Sequence, residues 1–555
     1  MNKPTIPCII ESHNTTWHDG GTAVLIPTGK IYALASERVG ERYKHSWDST
    51  ESYEYLKSRL VKYKDCFNSK TDFFTTIDKE NTESLFVPRH HLYHAAGTFM
   101  GSGFKDAAIL VVDGQGPEGN QWVATTLWKG GQGKIDMLEN FYPETEPFVP
   151  SSIGHFYTAI GSLAGMQNLH EEGKTMGLAP YGKHSHFVEY FRQYAYTKKD
   201  GSFYIDPMFV CAIFGNTFGP RFYQWGIQPP HIQKTWNEIL SLRSIPMRKR
   251  DDNVSQDDMD IAYAGQLILD DIILGLVHRI KELTGSKNLC MAGGVALNCT
   301  SNMKILQSGI FRNVYIFPAS DDSGQAIGKL FYNILFNNIP VQTKMSSPYL
   351  GPEYTDEEIR RSFMGESKLK VVSNTWEDTL ANAASYLQVG NIIGWFQGRS
   401  EIGPRALGHR SILADPRKNE IRVRINSEIK FREWFRPLAP IIIEEETSNY
   451  FEIDRQSPFM MFATKVRSEK ISLIPAVVHV DNSARIQTVR KNQEERLYSL
   501  LKEFQILTGI PILVNTSFNR KDEPIVETPK DAIKSFLLMN LDALVIDKYL
   551  LVKSI

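Results

Sequence analysis

The sequence contains few cysteines, and none of them forms a CxxC pair. They are Cys8, Cys66, Cys211, Cys290 and Cys299. Their odd number and wide spacing argue against a disulfide framework and against a thiolate zinc site. This cysteine usage is typical of a protein in a reducing cytosol.

The sequence also lacks a signal-type N-terminus, a membrane-length apolar run and an excess of basic residues. It begins MNKPTIPCIIESHN, and no stretch of about 18 apolar residues occurs, so we expect neither export nor a membrane span. The formal net charge is −1, whereas proteins that bind nucleic acid through its phosphates usually carry a clear basic excess. We therefore expect a cytoplasmic protein with no membrane partner and no nucleic-acid partner.

The chain is long and its composition is that of a globular protein. Its 555 residues exceed what one hydrophobic core usually holds, so two or more domains are expected. Strand–turn–strand patterns occur at PCIIESHN with HDGGTAVLI and at AAILVVDGQG with QWVATTLWKG, which suits phosphate-binding hairpins or ordinary ones. The less patterned residues 346–375 predict a connection between a first domain, residues 1–345, and a second α/β pattern, residues 376–555.

A long helix is predicted from Ser255 to just before Gly285, because apolar residues recur there at three- and four-residue spacing. A short strand, KNLCMA, and the pair Gly293–Gly294 follow it. A glycine pair ahead of a helix lets a ligand approach the backbone and meet the helix amides, although such pairs also occur in ordinary turns.

One segment of the predicted second domain is unusually rich in arginine. This arginine-rich segment contains Arg399, Arg405, Arg410, Arg417, Arg422, Arg424, Arg432 and Arg436. Several of these stand beside glycine, proline or aromatic residues, which is not the pattern of a solvated surface. Buried guanidinium groups need an anion, and phosphate fits their fork geometry. The alternative is internal pairing with Glu401, Asp415 or Glu433.

Two pairs of polar residues accompany these arginines. Lys430 and Arg432 project to the same side if their segment is a strand. Ser517 and Asn519 follow a strand in VNTSFN. Their hydroxyl and amide groups suit an anion or nucleotide pocket, or else a turn cap.

Three histidines stand together in the stretch HHLYHAAG. His90 and His94 are four residues apart, so they share one face of a predicted helix, whereas His91 points elsewhere and is expected to be structural. Asp113 ends a strand, and Asp322 opens a predicted helix. Two imidazoles with one or two carboxylates suit Fe(II), Mn(II) or Zn(II), and packing histidines are the alternative.

Taken together, the motifs of the chain resemble those of the O-carbamoyltransferases of antibiotic, nodulation-factor and toxin biosynthesis. They are HHLYHAAGTF, VVDGQG, EEGKTMGLAPYG, AGGVALN, DDSGQAIG, GRSEIGPRALGHRSILADPR, REWFRPLAPII and LVNTSFNRKDEPIV, in order over nearly the whole chain. The resemblance implies an α/β protein whose first domain is actin-like (ASKHA-type), similar to the tRNA threonylcarbamoyl transferases. It implies an α+β second domain that is YrdC-like.

The resemblance also implies the residues of each site. The metal ligands are His90, His94, Asp113 and Asp322. The catalytic residues are His13, Lys430, Arg432 and Ser517. The residues expected to bind ATP or carbamoyl phosphate are Arg405, Arg436, Arg485, Asn519, Gly293, Gly294 and Lys174. Many family members have an aspartate after the histidine equivalent to His13, whereas this chain has Asn14.

The activity that the resemblance implies has two steps. Carbamoyl phosphate and ATP react at the second domain to give carbamoyl-adenylate, and the carbamoyl group then passes to a substrate hydroxyl at the metal site. This implies MgATP, carbamoyl phosphate as co-substrate, a divalent metal (Fe(II) by family likeness) and a small hydroxylated acceptor, and it allows a homodimer. The alternatives are a tRNA threonylcarbamoyl transferase-like enzyme, a sugar-kinase-like ATPase and a non-catalytic ATP- and metal-binding module.

Overall fold

The protein is a mixed α/β structure with several sheets. The computed structural model describes residues 6–13, 19–40, 42, 49–63, 67, 89–145, 148–219, 229–248, 252–521 and 523–554. The chain divides into two compact units. One, the discontinuous unit, comprises Met1–Leu85 with Asp321–Ile555, and the other, the continuous unit, comprises Phe86–Ser320. The linear domain boundary at residues 346–375 remains a prediction.

The discontinuous unit begins with a three-stranded antiparallel sheet, in the order β1-β2-β3. Its elements are β1 (Ile9–His13), β2 (Gly21–Leu25), β3 (Ile31–Ala35) and α1 (Thr50–Arg59). β1 and β2 form the hairpin that the first glycine turn predicts. Val24 and Leu34 of β2 and β3 pack with Leu56 of α1 in a small apolar core.

The continuous unit is built on a five-stranded sheet, in the order β10-β9-β4-β5-β6. Its strands are β4 (Asp106–Glu118), β5 (Gln121–Gly131), β6 (Lys134–Phe141), β7 (Ala195–Thr197), β8 (Phe203–Ile205), β9 (Asn288–Ala292) and β10 (Asn313–Ile316). Its helices are α2 (His90–Ser102), α3 (Ile153–Leu163), α4 (Glu172–Leu178), α5 (His186–Phe191), α6 (Pro207–Phe218), α7 (Pro229–Ser241), α8 (Gln256–Thr284) and α9 (Cys299–Gln307).

Strand pairing in this sheet brings the ends of several strands to one edge. β4, β9 and β10 run parallel, whereas β5 pairs antiparallel with both β4 and β6. The run Ala107–Val112 of β4 is fully buried, which explains its continuous apolar sequence. A bulge follows between Val112 and Gly116. The residues after these parallel strands therefore share an edge, as ligand-binding residues do in other sheets of this kind.

α8 is the long helix that the sequence predicts. It starts with a capping box formed by Ser255 and Asp258 and ends at Gly285 in the left-handed conformation. By length and composition it is apolar enough to cross a membrane, but 67% of its most apolar window is buried inside the protein. Asp270, in the middle of the helix, is buried and paired with Lys304. We conclude that α8 is the central packing helix of its unit.

The rest of the discontinuous unit carries an eight-stranded mixed sheet, in the order β11-β20-β19-β12-β13-β18-β14-β17, and a β15-β16 hairpin. The strands are β11 (Leu369–Ser373), β12 (Ile393–Phe396), β13 (Arg410–Ala414), β14 (Ala439–Ile443), β15 (Ala463–Lys465), β16 (Ser483–Arg485), β17 (Gln487–Val489), β18 (Ile512–Ser517), β19 (Ala543–Ile546) and β20 (Tyr549–Lys553). The helices are α10 (Gln325–Phe336), α11 (Asp356–Phe363), α12 (Trp376–Gln388), α13 (Glu420–Arg424), α14 (Thr447–Tyr450), α15 (Glu495–Thr508) and α16 (Pro529–Leu538).

The predicted connection, residues 346–375, contains regular structure. α11 begins at a capping box of Thr355 and Glu358, and β11 pairs with β20 at the edge of the large sheet. Both elements are mostly exposed, so neither leaves a strong apolar pattern in the sequence.

The cysteines differ from the sequence prediction at one position. Cys8 is disulfide-bonded, whereas Cys211, Cys290 and Cys299 are buried free thiols. The expectation that no disulfide forms is therefore wrong, because wide spacing along the chain does not keep two cysteines apart in space. Cys66 lies outside the described residues.

Candidate metal centre and anion pocket

Three predicted metal ligands meet in the continuous unit. His90 Nε2 lies 3.0 Å and His94 Nε2 lies 3.6 Å from Asp113 Oδ2. All three residues are buried, and their ligand atoms lie within 4.8 Å of one another. The four-residue spacing places both imidazoles on one face of α2, and the end of the regular part of β4 supplies the carboxylate. His91 turns away and contacts Thr126, as its predicted structural role requires.

Glycines make room for this cluster. A side chain at Gly116 would place its Cβ 2.1 Å from the His90 ring. Gly293 has φ +90°, and a Cβ there would lie 2.2 Å from the Val112 carbonyl oxygen. The amide of Gly294 donates a hydrogen bond of 2.8 Å to Asp113 Oδ1. The glycine pair therefore holds the carboxylate in place through its backbone.

The electrostatics of the cluster favour a cation. Burial opposes ionisation of Asp113, but hydrogen bonds from His90 and His94, together with their charges, outweigh it and hold its pKa well below the ordinary value. An ionised carboxylate beside two imidazoles is a donor set for Fe(II), Mn(II) or Zn(II). Asp322, the fourth predicted ligand, belongs to the discontinuous unit, where it is buried in the turn before α10.

The predicted tetrad of the second site is assembled within the discontinuous unit. Lys430 Nζ donates to the carbonyl oxygens of Ser517 and Asn519, both at 2.8 Å, and to Asn519 Oδ1 at 2.6 Å. It also lies 3.2 Å from Ser517 Oγ, which in turn donates to Asn519 Oδ1 at 2.6 Å. These contacts join the Lys430 segment to the end of β18. The ammonium group thus fixes the backbone of the VNTSFN turn.

An unusual backbone brings Lys430 to this position. Residues Ile425–Ile429 form one turn of π-helix, which ends at Lys430. Phe431 follows with φ +46°, in the left-handed region that side chains other than glycine rarely adopt. Lys430 is consequently buried, whereas 60% of Phe431 is exposed. Lys430 and Arg432 therefore do not lie in a strand. A strand was the condition under which their spacing placed both side chains on the same side. Single turns of π-helix and strained residues of this kind are frequent at functional sites.

Arg432 lies in a strongly positive environment. Burial lowers the pKa of its guanidinium well below the usual range, and the charges of Arg436 and Arg485 lower it further, against the opposing charge of Glu433. Its Nε donates to Asn426 Oδ1 at 2.7 Å, so its orientation is fixed. The arrangement is that of a pocket for an anion, because an anion would offset the excess positive charge.

The other arginines of the segment are engaged within the protein. Arg399 and Arg410 donate to main-chain carbonyls, Arg417 pairs with Asp415, and Arg424 pairs with Asp542. The predicted alternative of internal pairing with Asp415 or Glu433 is confirmed for Arg417 with Asp415 and for Arg436 with Glu433, at 3.5 Å. Arg405 is half-buried in the loop before β13.

The remaining predicted residues are placed as follows. Lys174 pairs with Glu171 at 2.6 Å at the start of α4, where Glu172 accepts a hydrogen bond of 2.5 Å from Thr158. His13 ends β1, but its side chain lies outside the described residues.

Sequence reasoning missed two residues at these sites. Asn426 bonds the guanidinium of Arg432 and donates to the carbonyl of Arg436 at 2.9 Å. His155 lies beside the strand end that carries Asp113. Neither stands in a recognisable spacing, and the only sequence signal is a polar residue within an apolar helical pattern.

The fold and these two sites define an α/β enzyme with a buried histidine–carboxylate centre and a cationic pocket. Comparison with protein families specifies the class further. Residues 50–330 match the model described as carbamoyltransferase N-terminus, and residues 384–553 match the model described as carbamoyltransferase C-terminus. The chain belongs to the carbamoyltransferase family.

Similar proteins agree with this membership. An uncharacterised protein of Synechocystis is 36% identical over 525 residues, covering 90% of this chain and 79% of that protein. Nodulation protein NolNO of Sinorhizobium fredii is 33% identical over 97% of this chain and 80% of its own length. Nodulation protein NolO of Bradyrhizobium diazoefficiens is 34% identical over 84% of this chain and 78% of its own length.

Solved structures of HypF share a weaker likeness. Full-length HypF in the phosphate- and nucleotide-bound form has a TM-score of 0.30 and 12% identity, covering 60% of this chain and 56% of that one. HypF of T. kodakarensis also has a TM-score of 0.30, with 14% identity, covering 61% of this chain and 50% of that one. Likeness at this level supports no argument about the site.

Proposed function

We propose that the protein is an ATP-dependent O-carbamoyltransferase. In the cationic pocket of the discontinuous unit, one water cleaves carbamoyl phosphate to carbamate and phosphate, and the carbamate oxygen then bonds to the α-phosphorus of ATP, which gives carbamoyl-adenylate and releases pyrophosphate. The carbamoyl group then passes to a hydroxyl of a secondary-metabolite acceptor at the metal centre, and AMP leaves. Family membership supports the carbamoyl transfer, and the chemistry of the two sites supports the division into two steps.

The observation that carries the first step is the cluster of guanidinium groups around Arg432. Two like-charged neighbours, Arg436 and Arg485, lie close enough to lower its pKa, and one carboxylate, Glu433, opposes them. Such an arrangement costs free energy unless an anion is bound, and both proposed substrates carry phosphate. With Arg405, these groups would neutralise charge that develops on the transferred phosphates.

Lys430 has a different role in the proposal. Its three N–H bonds are directed at oxygens of Ser517 and Asn519, so it holds the VNTSFN turn rigid and adds one positive charge behind the pocket. Ser517 Oγ donates its hydrogen to Asn519 Oδ1, so its lone pairs are available to accept hydrogen bonds from other donors. The tetrad of Lys430, Arg432, Ser517 and Asn519 therefore acts as one preorganised group.

The second step takes place at the histidine–carboxylate centre. Asp322 lies six residues beyond the end of β10, one of three parallel strands whose ends share an edge, and we propose that it is the fourth ligand beside Asp113 and the two imidazoles. A divalent cation, Fe(II) in this proposal, would polarise the carbamoyl oxygen or hold the adenylate phosphate. Mg²⁺ would accompany ATP at the other site.

The chain's own residues complete the transfer. The acceptor oxygen bonds to the carbamoyl carbon, the bond from that carbon to the adenylate phosphate oxygen breaks, and a base takes the acceptor's proton. His13 is the proposed base. The backbone turn of Gly293 and Gly294 and the Lys174–Glu171 pair shape this site.

The finer architecture is part of the same proposal. The order β6-β5-β4-β9-β10, with β5 alone antiparallel to both neighbours, is consistent with an actin-like domain, and the eight-stranded mixed sheet with a YrdC-like domain. We propose a cytoplasmic enzyme that acts on a small molecule. A homodimer is compatible with this function.

Product analysis tests the first step. Purified protein with MgATP and carbamoyl phosphate should release pyrophosphate, and AMP should accumulate with turnover. Arg432→Gln should lower pyrophosphate release at least about 10³-fold, by analogy with guanidinium groups that stabilise transferred phosphates. Arg361→Gln, at an exposed arginine of α11, is the matched control. ADP as the only product would indicate a kinase, absence of any product would indicate a binding module, and either result would contradict the proposal.

A mass screen tests the second step. Hydroxylated compounds incubated with the full reaction should gain the mass of one carbamoyl group. Transfer of a threonylcarbamoyl group to tRNA, with no carbamoylation of any small molecule, would favour the tRNA-modifying alternative and refute the proposed acceptor class.

A further inference from the structure

His155 lies at the N-terminal turn of α3, directly against the end of β4 that carries Asp113. The cap residue of this helix, Ser152, donates its hydroxyl to the carbonyls of Asp113 and Gly114, at 3.1 and 2.5 Å. A side chain at Gly154 would come within 2.7 Å of Gly114 Cα, so helix and strand are in close contact. The first turn of α3 is therefore part of the wall of the metal centre.

The imidazole of His155 is fixed in one tautomer. Its Nδ1 lies 2.9 Å from the carbonyl oxygen of Val149. Because a carbonyl only accepts hydrogen bonds, Nδ1 must carry the hydrogen, and Nε2 presents a lone pair. The ring stacks on Phe148 at 4.9 Å and meets Phe214 edge-on at 5.4 Å, which prevents it from turning.

The lone pair of His155 lies at the site. A Cβ at Gly114 would be 3.8 Å from Nε2, so the absence of a side chain there leaves space beside this nitrogen. His155 is only half-buried, and no described residue bonds Nε2. The apolar surroundings of the ring lower the pKa of the imidazole, against the opposing hydrogen bond to Val149 and the charge of Asp113.

The chemistry of this nitrogen differs from that of a packing histidine. Contacts with Phe148 and Phe214 need only a flat ring, and they would be satisfied equally by phenylalanine. A nitrogen that can accept but not donate, held rigid next to a metal centre, selects a ligand atom that carries hydrogen. Alcohol hydroxyls have this property and ethers do not.

We propose that His155 Nε2 accepts a hydrogen bond from a second hydroxyl of the acceptor, beside the reacting one, and so orients the reacting oxygen toward the carbamoyl carbon while its own proton goes to the base. This inference rests on the proposed function, since it names a substrate contact at the proposed transfer site. His155 is thereby a specificity-determining residue, distinct from the base and from the metal ligands. One hydrogen bond that positions a reacting atom contributes about 10²-fold to rate.

Replacement of His155 tests the proposal with glycerol as the alcohol probe. With MgATP and carbamoyl phosphate, the wild type should form carbamoyl-glycerol, measured by mass spectrometry, and release pyrophosphate. His155→Phe should lower carbamoyl-glycerol formation about 100-fold and leave pyrophosphate release unchanged. His155→Gln should restore most of the activity, because its amide oxygen takes the place of Nε2. His278→Phe, at an exposed histidine of α8, is the matched control.

The outcomes separate this inference from the proposed function. Transfer at the wild-type rate in His155→Phe overturns the inference alone, whereas no pyrophosphate from the wild type overturns the proposed function. If the wild type releases no pyrophosphate, ¹⁵N spectra of histidine-labelled wild-type protein still test whether His155 Nε2 accepts a hydrogen bond from an alcohol. The His155 Nε2 resonance, assigned by its loss in His155→Gln, should be that of an unprotonated nitrogen and should shift with glycerol but not with glycerol's trimethyl ether. A protonated Nε2, or no response to glycerol, overturns the inference.

Discussion

Replacing Lys430 with methionine should loosen the turn after β18 as well as impair catalysis. The substitution keeps the length of the side chain but removes the donor to three oxygens, those of the Ser517 and Asn519 carbonyls and Asn519 Oδ1. A buried acceptor left without a donor costs about 1–3 kcal/mol. Asn519 Oδ1 keeps the Ser517 hydroxyl as a donor, and Ser517 is half-buried, so we count one full loss, at the buried Asn519 carbonyl, and expect about 2 kcal/mol in local stability.

Hydrogen exchange measures this local stability without assuming that a chain with two units unfolds in one step. Peptides covering residues 425–436 and 512–521 should lose about 30-fold in protection, since about 1.4 kcal/mol corresponds to a factor of ten. Peptides from β4 should not change. Lys370→Met, at an exposed position of β11, should leave all of these peptides as in the wild type.

A second variant, Ser517→Ala, gives a smaller loss of protection against which the effect of Lys430→Met can be compared. Ser517→Ala removes one hydroxyl that donates to Asn519 Oδ1, so it should cost about 1 kcal/mol and lower protection about fivefold. If Lys430→Met left protection within threefold of the wild type, or below the effect of Ser517→Ala, the assignment of the ammonium to the carbonyl oxygens would be refuted.

Three further predictions follow from other contacts. Gly116→Ala should displace the His90 ring, because its Cβ would lie 2.1 Å from it, and bound metal measured by elemental analysis should fall below one per chain, whereas Gly173→Ala, in open space, should not change it. The hydrogen bond from Arg59 lowers the pKa of Glu358 from its ordinary value of 4.5 to about 2. The wild type therefore has extra stability above pH 4.5, which it loses as the pH falls toward 2. Glu358→Gln should remove this extra stability. Urea titrations should show the full difference, about 1 kcal/mol after solvent screening, at pH 7 and less than half of it at pH 3. Chelation of the transition metal, followed by restored Mg²⁺, should abolish carbamoyl transfer and leave pyrophosphate release intact; loss of both would contradict two separate sites.

The geometry of the metal centre follows partly from local sequence patterns. The four-residue spacing of His90 and His94 predicts a shared helix face, and VVDG predicts Asp113 at a strand end, because both features depend only on neighbouring residues. Two features depend on contacts between distant segments instead. One is the space that Gly116 leaves for the imidazole, and the other is the amide of Gly294, in the turn after β9 and 181 positions beyond Asp113 along the chain. No spacing in the sequence encodes these.

The arginine segment shows the limit of composition. Its unusual density indicates buried guanidinium groups, but it does not distinguish a ligand pocket from internal pairing. Arg410 is fully buried and bonds the carbonyls of Gln397 and Gly398, and Arg424 pairs with Asp542, more than a hundred residues away. These partners lie near the arginines because strand pairing in the large sheet brings distant segments of the chain side by side. Arg432 is different because the charges of Arg436 and Arg485 lower its pKa more than the charge of Glu433 raises it.

The two sites have opposite electrostatic requirements, and this difference supports two separable reactions. Around Arg432 the charges of two arginines outweigh that of Glu433, which is the environment that our proposal fills with an anion. Around Asp113 two imidazoles meet an ionised carboxylate whose hydrogen bonds keep it charged despite burial, which is a donor set that a cation completes. A single site of either kind would bind a phosphate or a metal, as many proteins do. An enzyme that activates a carbamoyl group with ATP and then delivers it to a neutral alcohol needs both, because charge must be neutralised on the phosphates in the first step and on the carbamoyl oxygen in the second.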